Sequence, residues 1–388
     1  MDNIQPFKLS VPNAVLQDLQ DRLSRARFPD QLMSPANSEW LYGSECGRVK
    51  EVVRYWKEEF DWPRAQRAFN SMGQQFLGTL PDGRKLHFLH KVSKNAQAKP
   101  LLIAHGWPGS IYEFHKLIPL LTESFHIICP SIPGYGFSDP FRGRGGNTAR
   151  VAADFDCLMT SLGYESYFTQ GGDWGSLIIR DMARSFPNRV LAIHTCMPIS
   201  APPKDFDPKS LTPEEMEGMT RTVNFRNFET AYQKIQGQKP QTLAYGLNDS
   251  PTGLMAWILE KFHSWTDNNM EFVSLDEFLT NVMIYWVSQS IGSSIRFYFE
   301  NGTGSPQMPG IQTPLNGRVT VPTAAAVFPA DIYQLPLSWI RNSYNLHRYN
   351  SFKRGGHFSA MECPSILAED IKDWFLVDYP KLPPRAKL

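Results

Sequence analysis

The sequence predicts an α/β fold: a mostly parallel central sheet, a helical lid inserted into it, and a helical or irregular covering segment in front. Three observations lead there. Short apolar runs alternate with helical stretches from about residue 76, the alternation stops near Met197, and a strand pattern resumes at Val319. Strands alternating with helices on short connections indicate a parallel sheet covered by helices. The division that follows is a covering segment over 1–75, a sheet domain over 76–200 and 311–388, and a lid over 201–310.

The elements follow in order. Val15, Leu16, Leu19 and Leu23 sit at helical spacing with Asp18, Gln20 and Arg22 between them. A second amphipathic piece, 54–62, ends at Pro63. Both read as packing without chemistry. Phe76–Leu80, a Pro81-Asp82-Gly83 turn and Leu86–His90 form a β-hairpin pattern. Leu101–Ala104 is a short apolar strand leading into His105-Gly-Trp-Pro-Gly-Ser110, and Phe125–Cys129 is another that ends at Pro130. A helical stretch at 148–162 precedes a strand at 166–170, the sequence Gly171-Gly-Asp-Trp-Gly175, a helix over 176–186 and a strand at 190–195. Residues 201–310 are rich in Pro, Met and Trp at helical spacing. Strands at 319–328 and 344–349 and a helix at 363–375 close the chain.

Composition narrows the function. Of 388 residues, 42% are hydrophobic and 20% charged, enough apolar material for a large core and unlike a disordered chain. Lys and Arg number 39 against 38 Asp and Glu, so a net charge of +1 offers no field for a polyanion and nucleic acid is not the expected partner. The five cysteines are scattered without a C-x-x-C pair, which points to neither a zinc site nor a disulfide framework. No secretory signal and no spanning helix are seen, so a cytoplasmic location is expected. The final Ala386-Lys387-Leu388 resembles a variant of the Ser-Lys-Leu peroxisomal address, although basic, proline-rich tails also arise by chance.

The sharpest chemical signal is Gly171-Gly172-Asp173-Trp174-Gly175, between a predicted strand and a predicted helix. In a G-x-nucleophile-x-G elbow the small residues allow a turn tight enough to expose the central side chain above the sheet. Asp173 occupies that centre where Ser is usual. A carboxylate needs no base to activate it and suits displacement at a saturated electrophilic carbon, giving an ester that water must then cleave. A plain helix cap is the competing reading of Asp173. The backbone N–H of Trp107, in His105-Gly-Trp-Pro108, and that of Trp174 are placed to form an oxyanion hole. His357, in Gly355-Gly-His-Phe358, offers a base for water, and Asp331, after Phe328-Pro-Ala330, offers a group to orient it.

These motifs closely resemble the epoxide hydrolases of the microsomal type, which have the α/β-hydrolase fold. The likeness extends over nearly the whole chain, including the N-terminal segment from Phe7 and the lid stretches from Lys239 to Glu260-Lys-Phe262. The resemblance is to the soluble fungal members, and no membrane anchor like that of the mammalian members is expected. The resemblance implies conversion of an epoxide to a vicinal diol without metal or cofactor. It places two lid tyrosines, Tyr232 and Tyr298, over the nucleophile as donors to the epoxide oxygen. A small apolar epoxide and water are the implied partners, and a homodimer is compatible with the pattern. Competing readings are a haloalkane dehalogenase, a pathway-specific biosynthetic epoxide-opening enzyme, and a binding protein on a hydrolase scaffold.

Overall fold

The computed structural model describes residues 1–32, 40–302 and 317–384. Nine strands form one sheet: β1 (Asp2–Phe7), β2 (Gln74–Thr79), β3 (Lys85–Lys91), β4 (Lys99–Ala104), β5 (Phe125–Pro130), β6 (Tyr167–Gly171), β7 (Val190–Thr195), β8 (Val319–Val327) and β9 (Tyr344–Ser351). Their spatial order is β1-β2-β3-β5-β4-β6-β7-β8-β9. The pairs from β1 to β5 through β2 and β3 are antiparallel, and all pairs from β5 to β9 are parallel. The central strands read as unbroken apolar runs because helices cover both of their faces. In β6 every residue is buried. Pro322 interrupts the β8 ladder, and the register shifts there as a proline in a strand requires.

β1 was not expected. Its residues, Asp-Asn-Ile-Gln-Pro-Phe, are almost all exposed, so no buried face imposes an alternating pattern that a sequence reader could detect. Pro6 sits readily on such an edge strand, where the missing N–H of a proline disturbs the sheet least. Among the described residues, the covering segment adds this one edge strand to the sheet beside its three helices. The helix after β6 also begins earlier than expected, spanning Asp173–Ser185 rather than 176–186.

Between β7 and β8 the chain inserts a layer of helices: Pro213–Asn224, Ala231–Gln238, Pro240–Asp249, Pro251–Trp265, Leu275–Ser288 and Ile291–Glu300. Three of them begin with proline, whose missing N–H costs nothing in a first turn. Thr212 with Glu215 and Ser274 with Glu277 form reciprocal capping boxes. The N-terminal segment holds this layer from outside: Tyr55 donates to Asp276 (2.9 Å), Ser44 to the Ala256 carbonyl (2.6 Å) and Arg22 to the Asp249 carbonyl (2.7 Å). No helix among the described residues is long and apolar enough to cross a membrane. Ala386-Lys387-Leu388 lies outside the described residues.

Strand order reverses at β4, which has β5 on one side and β6 on the other. In open parallel sheets, ligands bind beyond the carboxyl ends of the strands at such a switch point. The candidate residues borne by the sheet all follow the carboxyl ends of parallel strands, with Trp174 directly after Asp173. Trp107 follows β4, Asp173 follows β6, Asp331 follows β8 and His357 follows β9.

Candidate active site

Parallel pairing brings Ala104 opposite Gly171, so the loops leaving β4 and β6 emerge side by side. The turn into Asp173 is tight. Gly172 is extended, and Asp173 adopts a positive φ of 48°, a conformation that costs an L-residue about 1–3 kcal/mol. Gly175 permits the approach, since a Cβ there would stand 2.0 Å from the Ala104 carbonyl oxygen. Gly106 is needed for the same reason, because its Cβ would fall 2.2 Å from Asp173 Oδ1. The Asp173 carboxyl does not cap its own helix. One oxygen accepts the Trp107 backbone N–H at 2.8 Å, and the other stands 3.4 Å from His357 Nε2.

His357 is held on three sides. Its Nδ1 lies 2.7 Å from Asp331 Oδ1, which also accepts the Ile332 N–H at 2.7 Å. Its backbone N–H donates to the Trp265 carbonyl at 2.8 Å, and the Trp265 ring lies edge-on to the imidazole. Burial disfavours the imidazolium, but the charge of Asp331 and hydrogen bonds to Asp173 and Asp331 outweigh it, raising the pKa to about 10. His105 shows the opposite balance. Burial lowers its pKa to about 4, and its neutral ring bridges the Gly106 carbonyl and the Ile132 N–H. Of the two histidines beside Asp173, only His357 carries a raised pKa, whereas the neutral His105 serves as a strut.

The inserted helices bring both candidate tyrosines over Asp173. Tyr232 and Tyr298 are buried, with ring centroids 5.9 Å apart. The two tryptophans whose N–H groups were expected in the oxyanion hole also support the tyrosines with their indoles. Trp107 stacks on Tyr232 at 5.4 Å and meets Tyr298 edge-on at 5.6 Å; Trp174 meets Tyr298 edge-on at 4.9 Å. Gln233 donates to the Tyr232 oxygen at 2.9 Å. Burial, reinforced by the Asp173 charge, holds the Tyr232 phenol well above its ordinary pKa. Tyr298 is raised likewise, by burial and then by Tyr232 and Asp173. Both phenols are therefore held in the protonated form at neutral pH. Asp173, Trp174, Tyr232 and Tyr298 line a cavity of about 150 Å³, whose other walls include Leu177, Met197, Ile199, Ile332, Leu335 and Trp339.

Some residues of the site escaped the sequence reading. Helix Leu275–Ser288 grips the loop after β4: Asn281 donates to the Pro108 carbonyl (2.7 Å), Ser110 donates to Asn281 Oδ1 (2.8 Å), and Tyr285 donates to the Gly109 carbonyl (2.6 Å). Glu277, one turn earlier, accepts from His115 and Lys116 on the following segment. Glu113, on the same stretch, is held by desolvation well above the carboxylate range, with His357 pulling its pKa down and Asp173 pushing it up. Among the described residues, no group of three or more His, Cys, Asp or Glu side chains is arranged to hold a metal ion.

Comparison with known proteins gives the family. Residues 4–114 match the family described as epoxide hydrolase N terminus, and residues 99–244 match the alpha/beta hydrolase fold family. The chain is 37% identical over 410 residues to epoxide hydrolase 1 of Oryctolagus cuniculus, covering 95% of this chain and 88% of that one. The chain belongs to the epoxide hydrolase family. Family members of solved structure superpose along its length. The Aspergillus niger epoxide hydrolase matches with a TM-score of 0.86 at 30% identity over 96% of both chains. The juvenile hormone epoxide hydrolase of Bombyx mori gives a TM-score of 0.86 at 31% identity, covering 96% of this chain and 93% of that one.

Proposed function

We propose that this chain hydrolyses a small, largely apolar epoxide to a vicinal diol through an alkyl ester on Asp173. The observation that carries the reading is Asp173 itself. One of its oxygens is held by a backbone N–H and the other faces a histidine, beneath two buried phenols.

In the first step an Asp173 oxygen attacks an epoxide carbon and the bond from that carbon to the ring oxygen breaks. The departing alkoxide takes a proton from Tyr232 or Tyr298, since an unassisted alkoxide is a poor leaving group. Esterification removes the negative charge that Asp173 presented to His357, and the imidazolium loses one of the partners that held its proton. That proton restores the tyrosine and leaves His357 neutral. The second step then has its base. His357 takes a proton from water, with Asp331 fixing the ring and stabilising the imidazolium. The resulting hydroxide adds to the ester carbonyl, whose oxyanion is received by the Trp107 and Trp174 N–H groups. Collapse releases the diol and returns Asp173 as a carboxylate beside a protonated His357.

The apolar cavity walls support an aryl or alkyl epoxide as substrate. The test is diol formation from racemic styrene oxide by the wild-type protein and by Asp173→Ala. The reading requires diol from the first and only the uncatalysed background from a folded Asp173→Ala. Diol formation by Asp173→Ala at the wild-type rate would refute it.

A further inference from the structure

Over the ring of Tyr232 lies a buried ammonium group that the mechanism above does not use. Lys261 sits on the inserted helix Pro251–Trp265, and its side chain is only 4% exposed. Its Nζ lies 4.3 Å from the centroid of the Tyr232 ring, with the rings of Trp265 at 5.6 Å and Trp257 at 5.9 Å. Its carboxylate partner is the neighbouring Glu260, and Glu229 contributes a second negative charge nearby. Burial lowers the Lys261 pKa and these two carboxylates oppose the fall. Facing the phenol from other elements are Asp173, Tyr298 and Tyr333, with Gln233 donating to its oxygen.

A lysine so enclosed costs conformational and hydration free energy that an apolar residue in an aromatic niche would not. What it supplies is a cation on the face of the ring that carries a candidate proton donor. Attraction between a cation and an aromatic face comes from electron density above the ring. When the phenol releases its proton, negative charge spreads into that ring and the attraction grows. The contact is thus stronger while the epoxide opens than in the resting site, which is the condition for an interaction to accelerate a step.

We propose that Lys261 is a positioning residue that acts through Tyr232, making its phenol a stronger donor to the oxygen of the opening epoxide. This rests on the reading of Tyr232 as a proton donor. Lys261 exchanges no proton in this scheme: the proton passes from Tyr232 Oη to the epoxide oxygen as the bond from carbon to Asp173 forms. The lysine acts on ester formation and leaves ester hydrolysis alone.

The experiment is a double-mutant cycle on the single-turnover rates of ester formation and ester hydrolysis with styrene oxide, using Lys261→Met, Tyr232→Phe and the double variant. Methionine keeps the length and apolar stem of the side chain without the charge. Lys261→Met should slow ester formation about tenfold where Tyr232 is present. It should slow it by at most about twofold where Tyr232 is already phenylalanine, with ester hydrolysis unchanged in both. Lys261→Gln is read in the same way if the methionine variant yields little folded protein. An equal loss in both backgrounds, or no loss where Tyr232 is present, overturns the proposal. Undiminished ester formation by Tyr232→Phe alone would instead strike the reading of Tyr232.

Discussion

The two halves of the site are built by different means. On the sheet side, Trp107, Asp173, Asp331 and His357 each follow a strand end, and the ladder register sets their spacing before any side chain packs. On the side of the inserted helices, Tyr232 and Tyr298 depend on stacked indoles and on helices held from outside by the N-terminal segment. The chemistry divides in the same way. In the proposed reaction the sheet half forms and cleaves the ester, and the helical half assists the departing oxygen. Backbone placement is rigid and tolerates little change. Packing is graded, and its losses should be graded too.

Changes in the sheet half should therefore have the larger effects. His357→Gln should form the ester and stall, so that mass analysis finds up to one equivalent of alkylated protein at Asp173. Repeated turnover by that variant would break the distinction between the halves. Tyr232→Phe and Tyr298→Phe should each slow ester formation by about 10²-fold and spare ester hydrolysis, with the double variant far slower. Rapid-quench kinetics separates the two steps. If the single tyrosine variants instead accumulated ester, the helical half would be serving the second step.

The grip of helix Leu275–Ser288 on the loop after β4 joins the halves. Asn281→Leu removes a donor to the Pro108 carbonyl and an acceptor for Ser110. Leaving such buried groups unpaired costs about 1–3 kcal/mol, and the Trp107 N–H should lose its alignment. The expected result is ester hydrolysis about tenfold slower with ester formation changed less. Equal slowing of both steps would mean that Asn281 only stabilises the insertion.

The smallest effect is a titration. His357 carries a raised pKa of about 10 because Asp331 and Asp173 outweigh its burial. The sign follows from linkage: stabilisation by the imidazolium is complete below the ordinary histidine value near 6.5 and is lost as pH rises through about 10. Asp173→Asn removes one carboxylate and should lower the His357 pKa without unfolding the protein, an NMR titration of the imidazole giving the value. An unchanged pKa would disconnect the base from the nucleophile, and with it the change in basicity on which the second step relies.

The same contrast explains what the sequence disclosed. A backbone that must turn within van der Waals contact of a strand requires glycine, so Gly106 and Gly175 bracket chemistry in a form that a reader can recognise. Asp331 and His357 were legible because they follow apolar strand patterns in an order set by the sheet. Tyr232 and Tyr298 have no such local signature; aromatic residues on helices read equally well as packing, and only the likeness to a known family singled them out. Asn281 and Tyr285 were invisible because their partners lie 173 and 176 residues away along the chain. Lys261 was hidden for a further reason: a lysine next to a glutamate on a helix usually indicates a solvated face, and only packing shows the ammonium lying against Tyr232. β1, exposed along most of its length, lacked the alternation that reveals a strand with one buried face.

One measurement bears most directly on the ester at Asp173: a single turnover of styrene oxide with excess protein in ¹⁸O-labelled water, followed by mass analysis of the diol and of the peptide containing Asp173. The account predicts a first-turnover diol whose new oxygen is unlabelled, coming from the carboxylate, and label incorporated into Asp173. Label in the diol with none in the peptide would mean that water attacks the epoxide directly, and Asp173 would not be the nucleophile.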